Sequence, residues 1–268
     1  MTMAKRDDDL LAQIERDVLD ESRPVAAALR KCLTLGGRVH SADLREWAAR
    51  ELHGYRGAEE SLPDYRRITA PLMMDGFEPG AMFRGKQVSV IDLPKEARDV
   101  IGDEVTLTAG VGEIEAWVQR AEARGGSLEL GPPAAAELAL MMTHEIGRYR
   151  VERVYWSVSV AVLRGVVDAI RTVLTELVAE MRAGTPGGDE VPPPEVAAQA
   201  VQFAVYGKGH RITIATAGEG GTATATSGNG ELEKPGFWTT SRRIGAAIVG
   251  LAAIVTAVAA ILALHPKF

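Results

Sequence analysis

The residues that could do chemistry in this chain are sparse, and their spacing combines few of them. His144 and Glu145 begin like the His-Glu pair of a zinc-protease helix, but the second histidine would fall at position 148, which is Arg148. The other histidines, His40, His53, His210 and His265, show no metal-ligand spacing with one another or with cysteine. Gly207-Lys208 lacks the glycine frame of a phosphate-cradling loop. The glycine-rich run from Gly218 to Gly230 is followed by no helical pattern, so it is not a dinucleotide fingerprint. Asp64, Asp75 and Asp92 lie in or near expected turns, where turn chemistry accounts for them; they would support hydrolysis only by converging in space. Sequence alone therefore assigns no catalytic, cofactor-binding or metal-ligating residue, and no cofactor is expected.

One charged residue stands out by position. Leu44, Trp47, Ala48 and Leu52 share a helical face, and Glu51 falls at the i+7 place of that face. A carboxylate there needs a partner such as Arg30 or Arg45 if it is buried, because an unpaired charge in an apolar interior is costly. It reads either as one half of a structural ion pair at the rim of the face or as a contact for a ligand or partner.

The elements that must position these residues suit one domain with extensions. The chain has 268 residues, 46% hydrophobic and 25% charged, enough for a packed core. The net charge of -6 argues against a general nucleic-acid binder, which shows a basic footprint. Cys32, the single cysteine, sits on an apolar helical stripe, reads as a core residue, and fits a reducing compartment. The opening residues lack the apolar region of a signal peptide.

The predicted fold class is α+β. A helical and α/β domain spans 7–130. Leu10, Leu11, Ile14, Val18 and Leu19 give a first amphipathic stretch. Ser22 is placed to cap a second helix carrying Val25, Ala28, Leu29, Cys32 and Leu33, with Gly36-Gly37 as its stop. Ser41 caps a third helix that ends at His53-Gly54, completing a helical hairpin. β-Forming runs follow at Tyr65–Met74, Gln87–Leu93 and Glu104–Thr108, then a helix at Glu113–Arg124 and a strand at Ser127–Leu130. Pro132-Pro133 opens a long helical region, 132–183, whose aliphatic stripe from Leu163 to Met181 suits either packing on the domain or a self-association seam. A Pro/Gly linker (184–199) leads to a β-hairpin-like element (200–217) and a low-complexity tether (218–241).

The last element is the plainest. Ile244 to Leu264 is 21 residues without a charge, ten of them Ile, Val or Leu, and about 20 such residues cross a bilayer as a helix. Arg242 and Arg243 precede it with Trp238 as an interfacial aromatic, which predicts a single span with the N-terminal bulk in the cytoplasm. Ala252, Thr256 and Ala260, with Ala253 and Ala257 beside them, form a stripe of small side chains suited to helix packing in lipid.

Several segments, in order, resemble the AbiTii family, a domain of bacterial abortive-infection (phage-defence) proteins. They are Glu21, Ser22 and Pro24 with Ala28 to Lys31; Asp43, Leu44, Glu46 and Trp47; Arg50, Glu51, Leu52, Gly54 and Tyr55; and Leu62, Pro63, Tyr65 and Arg66. Arg30, Trp47, Glu51, Tyr55, Tyr65 and Arg66 are the family-motif or partner-contact candidates. The resemblance implies a defence role in a bacterial host and carries over no active site. The expectation is a protein of the inner membrane that self-associates and perturbs the bilayer, triggered by a phage or host protein, with no nucleic acid as partner. The alternatives are a non-toxic scaffold that recruits a cytoplasmic partner, and a membrane-tethered hydrolase or nuclease.

Overall fold

The computed structural model describes residues 9–98, 101–185 and 191–207. The expected tether, the transmembrane segment and the residues of the hairpin-like element beyond Gly207 lie outside them. The class is α+β. The described residues hold helices α1 (Leu10–Leu19), α2 (Val25–Arg38), α3 (Ala42–His53), α4 (Lys95–Arg98), α5 (Val111–Ala123), α6 (Ala135–Ile146), α7 (Val160–Gly184) and α8 (Pro194–Tyr206). Strands β1 (Arg67–Thr69) and β4 (Glu104–Thr106) form a small antiparallel pair. Strands β2 (Leu72–Glu78), β3 (Ala81–Gln87), β5 (Ser127–Leu130) and β6 (Arg150–Ser159) form an antiparallel sheet of order β3-β2-β6-β5. Among the described residues no helix is long and apolar enough to cross a membrane.

The helical hairpin forms, with corrections at its ends. Asp9 caps α1 and Ser41 caps α3, each side chain accepting a first-turn amide. Leu19 is left exposed, because the buried face of α1 is Leu11, Ile14 and Val18 with Asp17. Ser22 does not cap α2: its hydroxyl and amide both donate to Asp20, and the helix starts at Val25, whose amide donates to Glu115 of α5 at 2.6 Å. Gly36 and Gly37 do not stop α2 either. Gly36 is buried where α2 crosses α3, and a Cβ there would stand 2.7 Å from Cγ and 3.0 Å from the backbone nitrogen of Arg45. The glycine is there for close approach, and the helix runs two residues further.

The largest departure from the expected pattern is β6. The region 132–183 is not one helix. Gly147, at φ +67°, ends α6, and ten residues of strand follow before Ser159 caps α7. β6 occupies the centre of the four-stranded sheet, pairing Leu72 with Trp156 on one side and Leu128 with Val158 on the other. Its alternation breaks at Glu152-Arg153, where the register with β2 shifts between Asp75 and Gly76 and leaves Glu152 as the extra residue of a bulge, so inward and outward residues do not keep a strict period of two. Two smaller corrections accompany this. Gln87–Leu93 is largely a 3-10 turn at 90–92, the strand being 81–87 instead. Val201–Tyr206 is the end of α8, not a strand, because Val196, Ala197, Ala200 and Val201 face inward at helical spacing.

The core is continuous through helices and sheet. α7 is its spine: Leu163, Val166, Ile170, Val173, Leu174, Leu177, Val178 and Met181 are buried against α1, α5 and α8. The stripe is thus spent on the domain. One polar residue of α7 reaches back across the fold. The Arg171 guanidinium donates to the carbonyls of Asp17, Val18, Asp20 and Arg23 at 2.7–3.2 Å, capping the end of α1 where its carbonyls run out of backbone donors.

Candidate functional site

α3 ends beside its most buried charge. Gly54, at φ +94°, turns the chain so tightly against residues 108–110 that a Cβ would meet the Thr108 carbonyl at 2.4 Å. Tyr55 then hydrogen-bonds that carbonyl through its amide at 2.7 Å and points its ring back under the helix. Pro63 starts a 3-10 turn at Asp64–Arg66, which delivers Tyr65 and Arg66 to the same place from the other side.

There the side chains close a network around Glu51. The hydroxyls of Tyr55 and Tyr65 each donate to its Oε1 at 2.7 Å. Arg66 donates from Nε to Oε2 at 3.1 Å and from Nη2 to Oε2 at 2.5 Å, while its Nη1 donates to the carbonyls of Leu107 at 3.0 Å and Ala109 at 2.6 Å. The guanidinium also lies 4.9 Å from the Tyr55 ring centroid. Trp47 donates its indole N–H to the Tyr65 oxygen at 3.4 Å. Glu51 and Arg66 are both 0% exposed. Burial pushes the Tyr55 and Tyr65 hydroxyls far above their usual range, and the Glu51 carboxylate adds to it, so both remain donors.

Five of the six motif candidates, Trp47, Glu51, Tyr55, Tyr65 and Arg66, thus meet in one place. Arg30 does not: it stays on the exposed face of α2, with its carbonyl accepting the Thr34 hydroxyl. The partner expected for Glu51, Arg30 or Arg45, is in fact Arg66. The site has no solvent-facing group among Glu51, Tyr55 and Arg66. What it does is join α3 to the β1 and β4–α5 backbone, because one guanidinium spans a carboxylate on the helix and two carbonyls on the connection.

The three aspartates occupy unlike settings. Asp75 is not in a turn but in β2 at the bulge, accepting from the Gly85 amide at 2.8 Å, from Tyr155 at 3.0 Å and from Arg153. Burial raises its pKa, but the hydrogen bonds from Gly85, Arg153 and Tyr155 outweigh this and hold the carboxyl below its usual value. Asp92 accepts the Ser89 amide at 3.2 Å, and Asp64 opens the 3-10 turn at an exposed position. Among the described residues no group of three or more His, Cys, Asp or Glu is placed to hold a metal ion. Cys32 is fully buried, and burial pushes its thiol up to about 12.

The Arg153–Asp75–Tyr155 cluster, joined by Glu129 at 2.8 Å from Arg153, is not visible in the sequence, because β6 lies inside a region whose pattern predicts helix. Its only local signal is the β-rich Val154-Tyr155-Trp156 triplet.

No curated protein and no solved structure matches the chain. The family model AbiTii matches residues 9–204, a span that begins at the cap of α1, includes the whole Glu51 network and both sheets, and ends within α8. On that match over most of its length, the chain belongs to the AbiTii family.

Proposed function

We propose that this protein is an abortive-infection type phage-defence protein whose folded domain is held at the bacterial inner membrane by residues 244–264 and acts there by self-association that perturbs the bilayer. The family match carries the defence half of this reading. The membrane half is supported by sequence: 21 uncharged residues, ten of them large aliphatics, follow Arg242 and Arg243. On insertion scales those ten contribute about -3 to -6 kcal/mol, enough to favour the bilayer. The stripe of Ala252, Thr256 and Ala260 beside Ala253 and Ala257 offers a surface on which spans of several copies pack. The domain would supply recognition of a phage or host protein trigger.

The test is overexpression in bacteria with membrane potential followed by a voltage-sensitive dye. The full chain is expected to depolarise the cell and arrest growth, and a chain lacking 244–264 to do neither. Toxicity that survives the deletion would show that the membrane is not the target. A full chain recovered in the aqueous fraction without detergent would remove the anchor altogether.

A further inference from the structure

α3 and α8 pack side by side, and between their outer flanks lies a cleft of about 370 Å³. Asp43, Glu46 and Trp47 line it from α3, and Val201, Gln202 and Tyr206 from α8. Its charges do not cancel. Arg50, also on the wall, is held by Glu46 at the i,i+4 spacing, while Asp43 has no ion-pair partner among the described residues. Asp43 favours the first turn of α3, as any acid does there, but that interaction leaves the carboxylate open to a cation. Trp47, almost fully buried, and the half-exposed Tyr206 line the same cleft. Burial pushes the Tyr206 hydroxyl up, Glu46 and Asp43 push the same way, and Arg50 opposes them. The cleft therefore presents net negative charge next to aromatic surface, which suits an alkyl ammonium or guanidinium group.

The chain itself carries such groups in the residues that follow α8 in sequence. α8 ends at Tyr206, which lines the cleft, and Gly207 closes the helix at φ +61° with its amide on the Phe203 carbonyl. The next residues in sequence are Lys208, Gly209, His210 and Arg211. A cation tethered by one to four residues reaches an effective concentration of the order of millimolar or more, above that of most free competitors. We propose that the α3–α8 cleft is a docking site for the chain's own Lys208–Arg211 segment, taking a basic side chain between Asp43 and Glu46 and against Trp47 and Tyr206. Docking would fix the point at which the rest of the chain leaves the domain. Its value as a coupling between domain and anchor rests on the membrane reading above, but the docking does not.

Trypsin reads the docking directly in the full-length protein, because it cuts after Lys208 and Arg211 and, as an internal control, after Arg242; Lys234 precedes Pro235 and is not cut. Replacing Asp43→Asn and Glu46→Gln together is expected to speed cleavage at the first two sites by about five- to tenfold, as loss of two partly exposed charge pairs implies, with Arg242 unchanged. Raising salt from about 0.05 to 0.5 M is expected to act in the same direction on the unmodified chain. Equal rates in the two chains, or a rise shared equally by Arg242, would overturn the proposal. Spermidine separates the remaining occupant. By calorimetry it should bind the Lys208→Ala/Arg211→Ala chain several times more tightly than the unmodified chain, because the tethered competitor is gone. Equal affinities would mean that the cleft serves a free cation, and the proposal fails. Both results are independent of whether residues 244–264 depolarise a membrane.

Discussion

Removing the Arg66 cation should be among the most damaging single changes available in this fold. Arg66→Met keeps the length of the side chain and deletes its charge. Glu51 then keeps two tyrosine donors but loses its counter-ion at a fully buried position, which costs about 3–5 kcal/mol. The carbonyls of Leu107 and Ala109 lose their Arg66 donor, which adds about 1–3 kcal/mol. Set against a typical stability of about 5–15 kcal/mol, the variant is left marginal or unfolded. Glu51→Leu alone strands the guanidinium in the same way and should cost a similar amount. The double variant strands neither charge, so it should be more stable than either single one, with a coupling of at least about 2 kcal/mol. Urea unfolding of the purified protein, followed by tryptophan fluorescence and circular dichroism, measures all four corners of the cycle. Additive losses, or an Arg66→Met cost below about 1 kcal/mol, would refute the claim that one charge is present to satisfy the other.

Neighbouring glycines should respond with opposite signs. Gly37→Ala meets nothing within 4 Å and should stabilise α2 by about 0.5–1 kcal/mol through helix propensity, whereas Gly36→Ala drives a methyl into Arg45 of α3 and should lose about 1–2 kcal/mol net, both read as shifts in melting temperature. Gly54→Ala combines a positive φ with a Cβ 2.4 Å from the Thr108 carbonyl, and should lower the urea midpoint more than any helix-surface alanine in α3. Asp75 gives a pH signature. Its folded pKa lies below the unfolded value, so its contribution is present above the unfolded carboxylate value near 3.8 and disappears as pH falls through the depressed folded one. Asp75→Asn should therefore flatten the acid limb of the stability–pH curve below about pH 4 and lower stability near neutrality; an unchanged acid limb would show that Asp75 does not carry it.

The helical hairpin was legible because its signals are local: Ser41 as cap, His53-Gly54 as stop, and an apolar stripe at helical spacing. The Glu51 position was legible as an anomaly, but its partner was not, since Arg66 arrives through a 3-10 turn and its carbonyl acceptors lie more than forty residues further on. Glycine is illegible where its role is tertiary. Nothing local distinguishes Gly36, squeezed by another helix, from a helix-ending glycine. β6 is hidden in the sequence because a bulge breaks its period of two and because it lies between two true helices, where Val151, Val154 and Val158 also fit a helical pattern. α8 is disguised in the opposite sense: Val201, Phe203 and Val205 alternate in sequence, yet the residues that decide the packing are Ala197, Ala200 and Val201. The Arg171 cap of α1 has no sequence signature, because its acceptors are main-chain atoms.

That cap has a consequence for the order in which the domain can be made. The carbonyl of Arg23 and the guanidinium that closes it are separated by 148 positions. At translation speeds of about 5–20 residues per second, roughly 7–30 s elapse between the synthesis of α1 and that of its clamp. During that interval the apolar side of Leu11, Ile14 and Val18 lacks the α7 surface it will finally rest on. A nascent chain therefore packs α1 on α2 early, while the flank of α1 that meets α7 stays uncovered and its carbonyl end unclamped until α7 has been made.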